Sequence, residues 1–245
     1  MTVRAGSSSV TAMYAGTSPL LKAYVGTNLI YESGEEPEPP TEPIVVGSSA
    51  SATNFLTSYT PDLPSGLQDG DWLVCGMSVS DSSGGVTVTS DHSDWTEDNL
   101  LSNQGTTQRA LYVATYFDGL EMPSWSLSAS RKCSHVCVAV RNLTSFVRST
   151  QNQPDTNTVA PAPAVTADGE GLLVRLWVRK DNKSTSVTLP AGHTLINQAL
   201  AASSGSSAHA VAAQAPISSA GTIPAASVTW SASSGNGTGW SIAIA

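Results

Sequence analysis

Residues able to do acid–base, nucleophilic or metal chemistry are few in this chain: His92, His135, His193 and His209, with Cys75, Cys133 and Cys137. The histidines are spread over the whole length, and no Gly-x-Ser-x-Gly elbow, phosphate-cradling Gly-x-x-x-x-Gly-Lys loop or His-Glu-x-x-His motif accompanies them. Asp91-His92-Ser93-Asp94 is the densest polar cluster. It could offer oxygens to a cation, but it reads more simply as a turn between Val86–Thr89 and Trp95. A glycosidase needs two carboxylates ~5–9.5 Å apart across a cleft. The close pairs here, Asp69 with Asp71 and Asp168 with Glu170, each open a strand and recur at matching turns, which indicates structure. The expectation is no catalytic, metal or cofactor site, and a protein that is not an enzyme.

Three cysteines are an odd number, which argues against a disulfide framework. Cys133 and Cys137, placed on one extended strand, would lie ~13 Å apart. A bridge needs Cα atoms within ~7 Å, so free thiols are expected.

The elements that must carry these residues are β-strands. Of 245 residues only 12% are charged, against ~25% in ordinary soluble domains, while Gly (20) and Pro (14) punctuate the chain. Hydrophobic residues at 40% suffice for a core, and a net charge of −8 gives no footprint for nucleic acid. No apolar run approaches the ~20 residues that cross a bilayer and no signal peptide is visible, so synthesis in the cytoplasm without membrane insertion is expected.

Composition changes at residues 34–43, Gly-Glu-Glu-Pro-Glu-Pro-Pro-Thr-Glu-Pro. Fixed proline φ angles and repelling glutamates predict an extended spacer that could hold its flanks ~30 Å apart. Residues 1–33 before it contain a short repeat. Met13-Tyr14-Ala15-Gly16-Thr17-Ser18-Pro19-Leu20 is echoed by Ala23-Tyr24-Val25-Gly26-Thr27-Asn28-Leu29-Ile30-Tyr31, each a strand, a Gly-Thr turn and a second strand. Hairpins this small are marginal alone, so this segment is read as a docking element.

Residues 44–245 carry a duplication of about 100 residues, with half-repeats near 44–145 and 146–245. Asp69-Gly70-Asp71-Trp72-Leu73 aligns with Asp168-Gly169-Glu170-Gly171-Leu172, which matches Leu73, Cys75, Met77 and Val79 with Leu172, Val174, Leu176 and Val178. Trp95-Thr96 matches His193-Thr194, and Arg109–Phe117 weakly matches Ser207–Ala215. Leu127–Ser130 matches Trp230–Ser233, and Val136–Val140 matches Trp240–Ile244. The expected fold is all-β: a jelly-roll-like sandwich into which both halves merge, or two small tandem sandwiches.

With Leu172, Val174, Leu176 and Val178 facing the core, Arg175, Trp177 and Arg179 alternate onto the opposite face. Such a stripe suits an interface; the alternative is a tryptophan covered by a neighbouring loop with its arginines solvated. Trp125 and Tyr112 are further candidates for stacking on sugar rings.

The opening Met1-Thr2-Val3-Arg4-Ala5-Gly6, the Tyr-x-Gly-Thr repeats at Tyr14 and Tyr24, the Pro/Glu spacer and the duplicated β-module together resemble minor tail proteins of long-tailed phages infecting actinobacteria. The resemblance implies a structural virion protein at the tail tip, made in the host cytoplasm. Tyr14, Gly16, Thr17, Tyr24, Gly26 and Thr27 would dock to other tail proteins, and the sandwich would face outward as an oligomer, a trimer by analogy. A host envelope glycan is the ligand the resemblance suggests, with Arg175, Trp177, Arg179 and Trp125 as candidate contacts. A carbohydrate-binding adhesin and a capsid decoration protein are the alternatives.

Overall fold

A computed structural model of the chain describes residues 3–5, 8–10, 14–15, 18–19, 22–25, 28–32, 42–53, 55–80, 87–98, 107–153, 158–181, 184–200, 207–232 and 237–245. It divides into two units, Met1–Thr41 and Glu42–Ala245. Among its described residues the first holds three antiparallel ladders: β1 (Val3–Ala5) with β2 (Ser8–Val10), β3 (Tyr14–Ala15) with β4 (Ser18–Pro19), and β5 (Lys22–Val25) with β6 (Asn28–Glu32).

The second unit is all-β. No helix occurs among its described residues, and no helix among the described residues of the chain is long and apolar enough to cross a membrane. Its first half contains β7 (Ile44–Ala52), β8 (Leu56–Tyr59), β9 (Trp72–Ser80), β10 (Val88–Asp91), β11 (Thr96–Asp98), β12 (Thr107–Thr115) and β13 (Ser124–Arg141). The second half contains β14 (Phe146–Gln153), β15 (Val159–Ala162), β16 (Val165–Ala167), β17 (Gly171–Asp181), β18 (Val187–Thr188), β19 (Thr194–Ala199), β20 (Ser207–Ile217), β21 (Gly221–Ile223), β22 (Ala226–Trp230) and β23 (Gly237–Ile244).

Each half builds one large and one small layer. In the first, the large sheet runs β7-β13-β9-β12-β11, while β8 and β10 flank the beginning of the same 18-residue β13. In the second, the large sheet runs β14-β23-β17-β20-β19 and the small one β15-β22-β18, with the β16–β21 hairpin beside it. The long β13 thus corresponds to β22 plus β23. Counted that way, and with the β16–β21 hairpin left out, each half has the same jelly-roll-like order, first-eighth-third-sixth-fifth in the large layer and second-seventh-fourth in the small.

The two large sheets share a core. Trp72, Val74, Leu111, Val113, Val136, Val138 and Val140 pack directly against Val174, Leu176, Val178, Ala210, Ala212, Trp240, Ile242 and Ile244. On the outer faces, Leu73, Cys75, Met77, Tyr112, Trp125 and Cys137 form a second core under β8 and β10, and Trp177, Val211, Val228 and Trp230 a third under the β15-β22-β18 layer. The expected all-β sandwich is therefore present, and the arrangements expected as alternatives coexist: the halves pack over one core, and each also closes a small sandwich of its own. The strands that complete the small sandwiches, β8, β10, β15 and β18, are only two to four residues long, so they leave little periodicity to read.

Two details of the duplication are corrected. Val74 pairs with Val138 and Val174 with Ile242, so Val74, not Cys75, is equivalent to Val174. Gly171 is one residue extra in the second turn, and a one-residue slip exchanges the faces of a strand. Leu73, Cys75 and Met77 accordingly line an outer core, whereas Val174, Leu176 and Val178 line the shared one. Likewise Thr115 opposes Trp72 as Pro216 opposes Leu172, which moves the β12–β20 match by three residues. The remaining matches keep their register: Thr96 opposes Val113 as Thr194 opposes Gln214. Ser128 and Ser231 both accept a backbone N–H through Oγ, from Thr87 and Thr185.

In the Asp69-Gly70-Asp71 turn the second carboxylate has a structural role. Gly70 has φ +91°, a conformation side-chain-bearing residues avoid. Asp71 accepts the Gln68 N–H at 2.8 Å and a two-pronged contact from Arg141, Nε to Oδ1 at 2.8 Å and Nη2 to Oδ2 at 2.7 Å. Those guanidinium bonds hold the Asp71 carboxyl below the usual carboxylate range and pin the end of β13 to the start of β9.

Candidate functional site

The residues singled out from sequence fall in very different environments. Tyr14 lies in β3 opposite Pro19, and Tyr24 in β5 opposite Leu29. Gly16, Thr17, Gly26 and Thr27 lie outside the described residues.

Arg175, Trp177 and Arg179 do alternate with the shared-core residues, but the face they occupy is covered. All three are buried beneath the second half's outer layer, because that face of β17 packs on β22 and its neighbours. The guanidinium of Arg175 reaches the Pro224 carbonyl with Nη2 at 2.5 Å, and burial lowers its pKa from the usual arginine value. Arg179 donates from Nη2 to the Ala232 carbonyl at 3.3 Å and lies 5.1 Å from the Trp230 ring. Long aliphatic stems let both span the core while their heads tie down β-sheet ends. Trp125 and Tyr112 are also buried, the indole N–H donating to the tyrosine oxygen at 2.6 Å. None of these five side chains is open to a sugar or a partner, which corrects the expectation of an exposed stripe.

A second polar group brings Ser49, Ser51, Tyr59 and His135 together where β7, β8 and β13 meet. His135 is fully buried, with Nδ1 2.6 Å from Tyr59 Oη and Nε2 3.3 Å from Ser49 Oγ. The Ser49 hydroxyl donates to the Asp62 backbone carbonyl at 2.5 Å. One proton arrangement satisfies all four groups: Tyr59 O–H to Nδ1, Nε2–H to Ser49, Ser49 to the carbonyl. In that arrangement the imidazole donates to Ser49 and takes no proton from it, the reverse of a nucleophile–base pair. Burial drives the His135 pKa down to about 4 and raises that of Tyr59.

The Asp91–Asp94 turn borders a hollow of about 130 Å³. His92 Nε2 sits 2.7 Å from Glu97, and the Trp95 indole donates to the Glu121 carbonyl at 2.8 Å, so the turn is fastened by its own side chains. Among the described residues no group of three or more His, Cys, Asp or Glu could hold a metal ion. His193, matched in sequence to Trp95, differs from it in structure. Trp95 is buried, while His193 is half-buried and hydrogen-bonds the Ala191 carbonyl.

The surface feature with binding character lies beside this turn. A groove of about 250 Å³ is lined by Trp72, Asp94, Thr96, Thr115, Phe146 and Arg148. It opens where β9, β11 and β12 of the first half meet β14 of the second. Phe146 and Trp72 stand 4.2 Å apart between ring centres, tilted by 42°, and Phe146 is 36% exposed. An apolar ring face rimmed by a carboxylate, a guanidinium and two hydroxyls suits a ligand with one apolar face and a polar perimeter, as a sugar ring has.

Sequence reasoning missed this groove because it favoured tryptophan. All six tryptophans are 5% exposed or less, whereas all three phenylalanines, Phe55 (65%), Phe117 (46%) and Phe146, are exposed. Phe55 also has φ +39°, unusual for a bulky residue, and the Lys132 amine lies 5.3 Å from its ring centre. No local pattern in the sequence marks Phe146 as exposed, because the groove's lining comes from both halves.

Comparison with protein-family models, with curated proteins and with solved structures returned no match.

The buried imidazole gives a test. A histidine whose folded pKa is about 4 against 6.5 unfolded contributes stability that is fully present above pH 6.5 and lost as pH falls from 6.5 through 4. The expected loss is on the order of 3 kcal/mol, since each tenfold change in proton affinity is worth about 1.4 kcal/mol. Denaturant titrations at pH 4 and pH 7 should show that loss in the wild type and a much smaller pH-dependent difference in His135→Gln. Equal pH dependence in both would refute the assignment.

Proposed function

We propose that this chain is a structural virion protein, a minor tail protein at the tip of a long-tailed phage, which docks through its N-terminal unit and displays the double sandwich outward. The observation that carries the reading is the unequal self-sufficiency of the two units. The described residues of Met1–Thr41 form two-stranded ladders whose strands are two to five residues long, and such hairpins need a partner surface to persist. Glu42–Ala245 closes its own cores and needs none. Sparse charge and abundant Ser and Thr suit a displayed surface that must stay soluble. Deleting residues 1–43 should therefore leave a folded, soluble body that no longer joins particles, read by circular dichroism and by immunoblot of purified virions. Incorporation at the full level would sink the proposal. An antibody to residues 44–245 should label the tail tip in electron micrographs, and label on the head would favour capsid decoration instead.

A second reading, a carbohydrate-binding adhesin, is favoured by the groove between Trp72 and Phe146. It relocates sugar contact from the buried Trp125 and Trp177 to an exposed ring. Saturable binding of the full chain to host envelope polysaccharide is expected, weakened several-fold by Phe146→Ala, since aromatic stacking contributes on the order of 1 kcal/mol. Unchanged affinity in a variant with wild-type melting behaviour would remove the groove from consideration.

A further inference from the structure

Cys75 and Cys137 are direct partners in the β9–β13 ladder, both are fully buried, and both project into the first half's outer core. A backbone hydrogen bond decides which kind of partners they are. The Thr53 N–H donates to the Cys133 carbonyl at 2.8 Å, so the peptide groups of Cys133 point toward β7. Peptide groups of successive residues in an antiparallel sheet alternate between the two neighbours, so His135 and Cys137 also point to β7. The β7–β13 register stays regular up to Ala139, which keeps that parity intact. Cys137 thus meets Cys75 as a non-hydrogen-bonded pair, the narrow kind, with Cα atoms ~4.5 Å apart. Disulfides span Cα separations of about 4.4–6.8 Å. Cys133 lies opposite Val79 and has no such partner across the ladder.

We propose that Cys75 and Cys137 are a latent cross-strand disulfide, present as free thiols in the structure and closed by a low-molecular-weight disulfide such as oxidised glutathione. The thiolate of one cysteine attacks the glutathione disulfide, forming a mixed disulfide and releasing one glutathione. The thiolate of the other then attacks the protein sulfur of that mixed disulfide, forming the Cys75–Cys137 bond and releasing the second glutathione. Two protons leave the cysteines for the two glutathione thiols; the protein is oxidised by two electrons and glutathione disulfide is reduced. Both sulfurs lie under the layer of β8 and the start of β13, so exchange takes place before that layer closes or when it opens. Burial raises the Cys75 thiol pKa, which slows attack within the closed protein. The inference does not depend on the function proposed above.

The test uses the full wild-type chain, unfolded in reductant and refolded in a glutathione buffer poised to oxidise. Thiols in the soluble, folded product are alkylated under denaturing conditions and counted by intact mass, and the bridge is mapped on peptides. The expected result is one alkylated thiol, at Cys133, and a peptide linking Cys75 to Cys137. Cys133→Ala should form the same bridge. Three alkylated thiols in the folded product, or a bridge that includes Cys133, would overturn the proposal.

Discussion

The packing of Val178, Leu176 and Trp240 over Gly76 is the contact on which the architecture depends. Gly76 lies in the middle of β9, and a Cβ placed there would stand 3.3 Å from Val178, 3.4 Å from Leu176 and 3.6 Å from Trp240. A notch in the first half's large sheet thus receives three large side chains of the second half's. The equivalent residue in β17 is Leu176, so the small and large positions of the duplicated strands are complementary across the interface. Two copies of one module have diverged at this layer into a socket and a plug.

This shared core dictates what happens outside it. Each large sheet is buried on both faces, and every residue of β9 and of β23 is buried. Each outer face therefore needs its own cover, supplied by the small layers and by the β16–β21 hairpin. Polar groups are caught beneath those covers, and several of them find partners there. Arg175 and Arg179 do so by reaching backbone carbonyls at the far side, and His135 does so through Tyr59 and Ser49. The same constraint brings Cys75 against Cys137 in a layer from which water is excluded.

The all-β class, the duplication and its terminal strands were legible because long buried strands carry strong patterns, as Val136–Val140 and Trp240–Ile244 do. The faces were harder to read. Alternation separates two sides of a strand but cannot say whether the second side meets water, and for β17 it does not, which is why Arg175, Trp177 and Arg179 read as exposed. One extra glycine, Gly171, reversed the matching of β9 with β17, an error the apolar character of both faces could not reveal. The groove at Phe146 joins residues from both halves, so no local pattern announces it. Cys75 was invisible as a partner of Cys137 because only the ladder register brings them together.

Equilibrium unfolding of the full-length Trp240→Ala variant, followed by tryptophan fluorescence and circular dichroism, tests the shared core most directly. Truncating this buried indole should cost about 3–5 kcal/mol. The account predicts one coincident transition in both signals, shifted to lower denaturant for the entire Glu42–Ala245 body, because neither half keeps its central face covered without the other. A two-step curve, with the first half unfolding at its wild-type midpoint after the second has been lost, would contradict it.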